Sequence, residues 1–456
     1  MVEVPRIVVA GTHSGAGKTT IASGLMAALA AKGHDVAPFK VGPDFIDPSY
    51  HSLATSRPGR NLDAFLSGVD LIEPLFVHGA KDADIAVIEG VMGLFDGKSG
   101  GGELASTAHV AKLLDAPVIL VVDARAMARS AAAMVHGYMT FDRKVNVAGV
   151  ILNRVGSSMH EKMLREAIEP LGVPVFGVVR RDGEMETPGR HLGLVPASER
   201  TSEARTALRR TGDVIARSLD LDAVMRLAST ARPLHAEPWN PGSPEATRAQ
   251  DIRVAVAAGP SFSFLYRENL ELLESAGAEV AFFDPTSESH LPTDTDTLYF
   301  GGGFPETYAE ALSANEPLKE QVSSFAREGK LVIAECGGLL YLCRGLDGLP
   351  MCGVLDAEAR MTGRLTLGYR EARTITSSPL AEAGAIVGGH EFHYSVVEPG
   401  VGEKPAWDLA GRGPEGFVAG GVHASYLHLH WAATPELPRR IVRRAARMKK
   451  LVGTRI

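Results

Sequence analysis

Residues 6–20 read RIVVAGTHSGAGKTT. The branched, apolar opening Ile7-Val8-Val9-Ala10 predicts a buried strand, and Ile21, Leu25 and Leu29 just beyond fall on one face of a helix. Between them lies a glycine-rich turn, the order a phosphate cradle requires. Gly15 and Gly17, with Ala16 between them, let backbone N–H groups turn inward toward oxyanions. Lys18 adds a point charge for β- and γ-phosphates, and the Thr19 hydroxyl, followed by Thr20, offers a ligand to Mg²⁺ at the helix start. The spacing departs from GxxxxGK[ST]: five residues before Gly17 stands Thr12, and the first glycine, Gly11, comes one position early. The stretch predicts an ATP- or GTP-handling enzyme.

Composition sets the outer limits. A chain of 456 residues, 45% apolar and 22% charged, supports two or three domains with ample core. A net charge of -7 argues against a dedicated nucleic-acid binder. The basic stretch RRIVRRAARMKK at 439–450 is read as a solvated helix face near a helix C-terminus. Three cysteines, Cys336, Cys343 and Cys352, make no paired framework and lack zinc-ligand company, which points to a reducing cytoplasm. No apolar run approaches the ~18 residues of a membrane span. The start MVEVPR lacks a basic region followed by an apolar one, so a cytosolic protein without membrane partners is expected.

Up to about residue 230, short β-rich runs alternate with amphipathic stretches. Strands are predicted at 7–10, 36–39, 85–89, 118–122, 148–152 and 173–179, with helices between them, which implies a mostly parallel sheet covered on both faces. Ligands in such sheets sit at the carboxyl ends of the strands. After the second strand come Lys40, Asp44 and Asp47; after the third come Glu89 and, seven residues on, Asp96. Mg²⁺ bound with a nucleotide takes oxygen ligands, so Thr19, Asp44 and Glu89 are the predicted metal set, although a loop Asp also serves as a helix cap. Asn153, after the fifth strand, is placed to read adenine or to form a turn. The loop from Arg190 to Pro196, with His191, is left without a role.

A charged helical stretch at 202–230 gives way to ARPLHAEPWNPGSPEATRAQ, rich in proline and taken as a linker. A second α/β unit begins near Asp251, with strands at 253–258, 279–283, 297–300 and 331–334 and helices at 262–276 and 306–328. Its chemical centre is LVIAECGGLLYL at 331–342, a strand that ends in Glu335-Cys336-Gly337-Gly338 and re-enters an apolar helix. This is the layout of a nucleophile elbow, and the helix N-terminus is expected to lower the thiol pKa. Gly302 and Gly303, after another strand, and Gly337 are candidate donors to an oxyanion. His423, His428 and His430 supply candidate bases.

These residues carry a resemblance. The first half resembles the dethiobiotin-synthetase-like ATPases, and the second a class I glutamine amidotransferase domain of flavodoxin-like fold. The ordered motifs KVGPDFIDP, EGVMGLFDG, GGGFPE, AECGGLLYL, GHEFHYS and SYLHLHW resemble, over nearly the whole chain, the cobyrinate and hydrogenobyrinate a,c-diamide synthases. The resemblance implies an α/β protein of two domains: a P-loop amidoligase with a doubly wound, mostly parallel sheet at 1–232, a linker at 233–250, and the amidotransferase domain at 251–456. It implies Cys336 as glutaminase nucleophile and His428 as the histidine that raises its reactivity. Related triad enzymes carry a glutamate two positions after that histidine; here His430 stands there, which suggests a Cys-His dyad. Lys40 and Asp96 match positions associated with substrate activation, and Leu340 replaces a common glutamine.

The implied reaction is amidation of two corrin carboxylates through acyl phosphates, with ATP, L-glutamine and a corrin polycarboxylate as partners and Mg²⁺ accompanying ATP. A homodimer is left open. So are three other readings: a cobyrate synthase, a Ni-sirohydrochlorin diamide synthase, and a P-loop regulatory ATPase with an inactive glutaminase-like domain.

Overall fold

The computed structural model describes residues 2–181, 201–242 and 251–453, so the loop from Arg190 to Pro196 and the end of the expected linker, 243–250, lie outside the described residues. The chain forms two compact units, Met1–Asn240 and Pro241–Ile456.

In the first unit seven strands, β1 (Arg6–Gly11), β2 (Val36–Val41), β3 (Arg60–Leu62), β4 (Ile85–Glu89), β5 (Val118–Asp123), β6 (Val147–Val155) and β7 (Val175–Arg180), form one sheet in the order β3-β2-β4-β1-β5-β6-β7. All its pairings are parallel. Strands buried on both faces need apolar side chains at every position rather than alternation, and β1 and β5 are buried along their whole length. Helix α1 (Lys18–Ala31) lays Ile21, Leu25 and Leu29 against Ile7 and Val9. Gly24 lets helix Thr201–Ser218 approach, since a Cβ there would lie 2.6 Å from Ile215 Cγ1.

The predicted strands are all present. The short β3 and the break of the 202–230 segment into Thr201–Ser218 and Leu221–Ala228 were not expected. Part of the expected linker belongs to the first unit. Leu234 bridges Val2, His235 and Ala236 donate to Glu73 Oε1, and Trp239 lies edge-on to His78.

The second unit opens with β8 (Ile252–Ala257), β9 (Ala278–Phe283), β10 (Thr295–Phe300) and β11 (Leu331–Glu335). Next come β12 (Gly345–Leu346), β13 (Leu349–Pro350), β14 (Glu358–Thr374), β15 (Ile386–Glu398), β16 (Trp407–Leu409) and β17 (Gly413–Glu415). The last three are β18 (Phe417–Ala419), β19 (Val422–Ser425) and β20 (His428–Leu429). The central sheet runs β18-β19-β11-β10-β8-β9. Its parallel strands, taken in chain order, follow the flavodoxin order 2-1-3-4-5, with β18 as an antiparallel edge.

The expected helix at 262–276 begins only at Arg267, because Phe264 bridges Gly302. The one at 306–328 is broken at Asn315, two residues before Pro317. The long antiparallel pair β14–β15, absent from the sequence reading, builds a second sheet that also holds β20.

Candidate functional site

In the first unit the strand order β2-β4-β1 sets the end of β4 between β2 and the P-loop, and the register pairs Lys40 with Glu89. Gly15 and Gly17 have φ of 82° and 98°, left-handed values that let the turn close onto α1. A side chain at Gly17 would also strike Asn153, whose Nδ2 lies 2.2 Å from the place of a Cβ. Lys18 is buried at the helix start with Nζ 3.4 Å from His13 O, and Thr19 and Thr20 follow it on α1, both half-buried. Burial, reinforced by the Lys40 charge, lowers the Lys18 pKa.

Four buried or partly buried groups converge beside Thr19. Its hydroxyl donates to Glu89 Oε1 at 2.6 Å and to Asp47 Oδ2 at 3.3 Å. Lys40 Nζ lies 2.6 Å from Asp47 Oδ2 and 2.8 Å from Glu89 Oε1. His51 Nε2 lies 2.7 Å from Glu89 Oε2. Burial would favour neutral Lys40, but Asp47 and Glu89 outweigh it and raise its pKa. Burial would likewise raise Glu89, yet Lys40 and His51 hold it below the usual carboxylate range, while burial and the Glu89 charge push Asp47 well above.

These contacts give several of the predicted site residues partners within the protein. Asp44 is a cap: its Oδ1 accepts from Ile46 N at 2.8 Å and Asp47 N at 3.4 Å, so the carboxylate beside Thr19 and Glu89 is Asp47. Lys40, expected to touch substrate, is enclosed and taken up by Asp47, Glu89 and the Gly90 carbonyl. Asn153, read as an adenine contact or a turn former, donates through Nδ2 to Ala16 O at 2.9 Å and braces the P-loop. Asp96 is exposed and accepts from Gly93 N at 3.0 Å.

Sequence reasoning also missed Arg154, held in a left-handed conformation (φ 59°), which joins Gly15 O at 2.8 Å to Asp123 at 2.6 Å. It missed His51 too, although the i, i+4 spacing of Asp47 and His51 on helix α2 (Ile46–Thr55) was there to find.

Among the described residues no group of three or more His, Cys, Asp or Glu forms a metal-binding array. What the first unit offers a cation is one hydroxyl and two carboxylates, and the Lys40 ammonium already rests on those two acids. An all-oxygen set of this size, completed by phosphate oxygens and water, fits the chemistry of Mg²⁺.

In the second unit Cys336 follows β11 with φ 48° and ψ −101°, outside the regions open to ordinary residues, and begins helix Gly337–Leu342. Its N–H donates to Ser425 O at 2.7 Å, which ties the elbow to β19, and its thiol donates to Phe392 O at 3.7 Å. Glycines permit this packing. A Cβ on Gly338 would lie 2.6 Å from Phe300 O, and one on Gly337 3.0 Å from Gly303 N. A Cβ on Gly302 would lie 2.2 Å from His428 Cε1, so the 302–303 turn fits between His428 and the start of the helix. Gly302 N donates to Phe264 O at 3.2 Å, which removes it as an oxyanion donor and leaves Gly303 and Gly337.

The thiol pKa is raised, contrary to the expectation from the helix terminus. Burial is the main cause, with the Glu306 charge next, and the Gly337 N–H offsets only part of it. Burial likewise lowers His428 to about 3. His428 stacks on His390 with ring centroids 4.8 Å apart, the two being register partners of β20 and β15. His430 faces Glu268, with Nε2 3.4 Å from Oε2. Cys336 borders a small cleft shared with Gly303, Glu306, Phe392, His393 and Tyr394.

Residues 7–195 match the model of the CobQ/CobB/MinD/ParA nucleotide binding domain, and residues 253–436 that of the CobB/CobQ-like glutamine amidotransferase domain. The chain is 54% identical to the hydrogenobyrinate a,c-diamide synthase of Streptomyces coelicolor, over 97% of each chain. It is 52% identical to that of Mycobacterium bovis, over 97% of this chain and 98% of the relative. To the cobyrinate a,c-diamide synthase of Dehalococcoides mccartyi it is 43% identical, over 96% and 98%. With a phosphate cradle in one unit, a cysteine elbow in the other and likeness running end to end, the chain belongs to the family of hydrogenobyrinate and cobyrinate a,c-diamide synthases.

Proposed function

We propose that this protein is a glutamine-hydrolysing ligase that converts the a and c side-chain carboxylates of a corrin to amides at the expense of ATP, in cobalamin biosynthesis. The observation that carries the reading is the full-length identity to the synthases, and the higher identity to hydrogenobyrinate enzymes (54% and 52%, against 43%) favours a metal-free corrin. A cytoplasmic location is part of the proposal, supported by three cysteines that are all free.

In the first unit the substrate carboxylate oxygen attacks the γ-phosphorus, the bond to the β–γ bridging oxygen breaks, and ADP leaves. The Gly15 and Gly17 turn with Lys18 binds and orients the phosphates, and Asp47, Glu89 and Thr19 are the residues that would hold Mg²⁺. Magnesium, when bound with ATP, supplies neutralisation of phosphate charge. Asn153 and Arg154 keep the P-loop in shape. Ammonia then attacks the acyl carbon and phosphate departs.

In the second unit Cys336 Sγ attacks the glutamine side-chain carbonyl as its proton passes to His428, and Gly303 and Gly337 N–H groups face the oxyanion. His428 returns the proton to the departing ammonia, and water releases glutamate from the thioester.

Corrin carboxylates labelled with ¹⁸O test the reading. One labelled oxygen per amide should appear in inorganic phosphate, and the product mass should show two amides. Label in AMP, or in neither nucleotide nor phosphate, would overturn the acyl phosphate. A higher kcat/KM for the cobalt corrin than for the metal-free one would overturn the choice of substrate.

A further inference from the structure

We propose that His51 is a positioning residue for the metal and phosphate site: it clamps one oxygen of Glu89 so that the other stays turned toward Thr19. The inference rests on the assignment of Glu89 and Thr19 to Mg·ATP made above. Glu89 is fully buried, and its two oxygens have separate duties. Oε1 takes the Thr19 hydroxyl at 2.6 Å and Lys40 at 2.8 Å, whereas Oε2 is bonded by His51 Nε2 at 2.7 Å.

A buried glutamate with one oxygen unbonded would be free to rotate about its last torsion, which has a broad minimum. His51 removes that freedom from the side of the carboxylate opposite the hydroxyl. His51 is itself fully buried, carried by α2 five residues after the helix start, and its other ring nitrogen, Nδ1, has no hydrogen-bond partner among the described residues. A fully buried imidazole spending its only hydrogen bond on one carboxylate oxygen is a costly arrangement for packing alone, since an apolar side chain would fill the space without leaving a bare nitrogen. Second groups that orient a ligating side chain in this way are typically worth about 10–100-fold in metal affinity.

Binding of ATP to the full-length protein, measured by calorimetry with Mg²⁺ and again in excess chelator, separates clamp from scaffold. His51→Ala should weaken Mg·ATP binding by roughly 10-fold or more while metal-free ATP binds as in wild type. His51→Gln, which can still donate to Oε2, should recover much of the loss. Manganese titration of the same variants should show a matching fall in affinity in the presence of nucleotide. Equal weakening with and without metal, or no change in either, would overturn the clamp. Glu89→Gln distinguishes the two levels: if it too leaves the metal dependence intact, the assignment of Glu89 is wrong and the clamp falls with it. If Glu89→Gln is severe while His51→Ala is silent, only the clamp is lost.

Discussion

Cys336 pairs a strained backbone with a thiol that burial keeps protonated. A protonated thiol needs a group to take its proton before it attacks, which is the role proposed above for His428. Cys336→Ala should reduce glutamine-dependent synthesis by roughly three orders of magnitude or more while ammonia-dependent synthesis persists, as read by product formed with each nitrogen source. Its neighbour Glu335 tells a different story. Burial pushes Glu335 up to about 8. The native state thus holds a proton that the unfolded chain, with an ordinary carboxyl near 4.3, releases. That contribution to stability is complete below about pH 4.3 and is lost as pH rises through about 8. Glu335→Gln should therefore shrink the fall in thermal midpoint between pH 5 and pH 9, measured on the full chain by glutaminase inactivation; an unchanged slope would place the proton elsewhere. The elbow at Cys336 was legible because strand, turn and helix leave a local imprint, whereas His428 was singled out only through the resemblance of its motif. The different surroundings of Asp44 and Asp47 were not legible, because the two stand three residues apart and only the start of α2 decides which acid accepts from the helix N–H groups and which turns toward Thr19.

Short connections carry as much of the site as the strands do. The 302–303 turn is squeezed between His428 and the helix after Cys336, and Gly302→Ala would force a Cβ to within 2.2 Å of the ring. The variant is expected to lose most glutaminase activity and to keep ammonia-dependent synthesis, since the displaced ring and not the P-loop bears the clash. At the start of α2, Asp44→Ala should cost about 1 kcal/mol of stability, the usual loss of a cap, with little change in the Mg²⁺ concentration needed for half-maximal rate. Asp47→Asn should do the reverse, raising that concentration, and a Mg²⁺ titration of the two variants side by side decides between them. Most strands of the two central sheets were visible as apolar runs, though β3, β18 and β19 were not. The β14–β15 pair was not, because its exposed stretches mix charge, glycine and isolated apolar residues, and only its pairing along 12 register positions makes it a strand.

At the scale of the whole molecule, the α/β class could be read from the alternation of strands and helices, while convergence could not. Nothing local in the chain announces that Arg154 reaches Gly15 or that Ser425 receives the Cys336 N–H. Those are products of strand order. The pairing of β11 with β19 has a further consequence for how the second unit is made. It joins residues 331–335 to 422–425 across a segment that includes the entire β14–β15 pair. Closing so long a loop costs entropy before any contact repays it, and topologies dominated by distant pairings fold slowly. The elbow sequence is therefore synthesised well before the strand that anchors it, and the cysteine waits without its histidine. On refolding from denaturant, far-UV signal should return ahead of glutaminase activity, with the activity lagging as a separate slower phase; coincident recovery would show that β19 docks as early as the rest of the sheet.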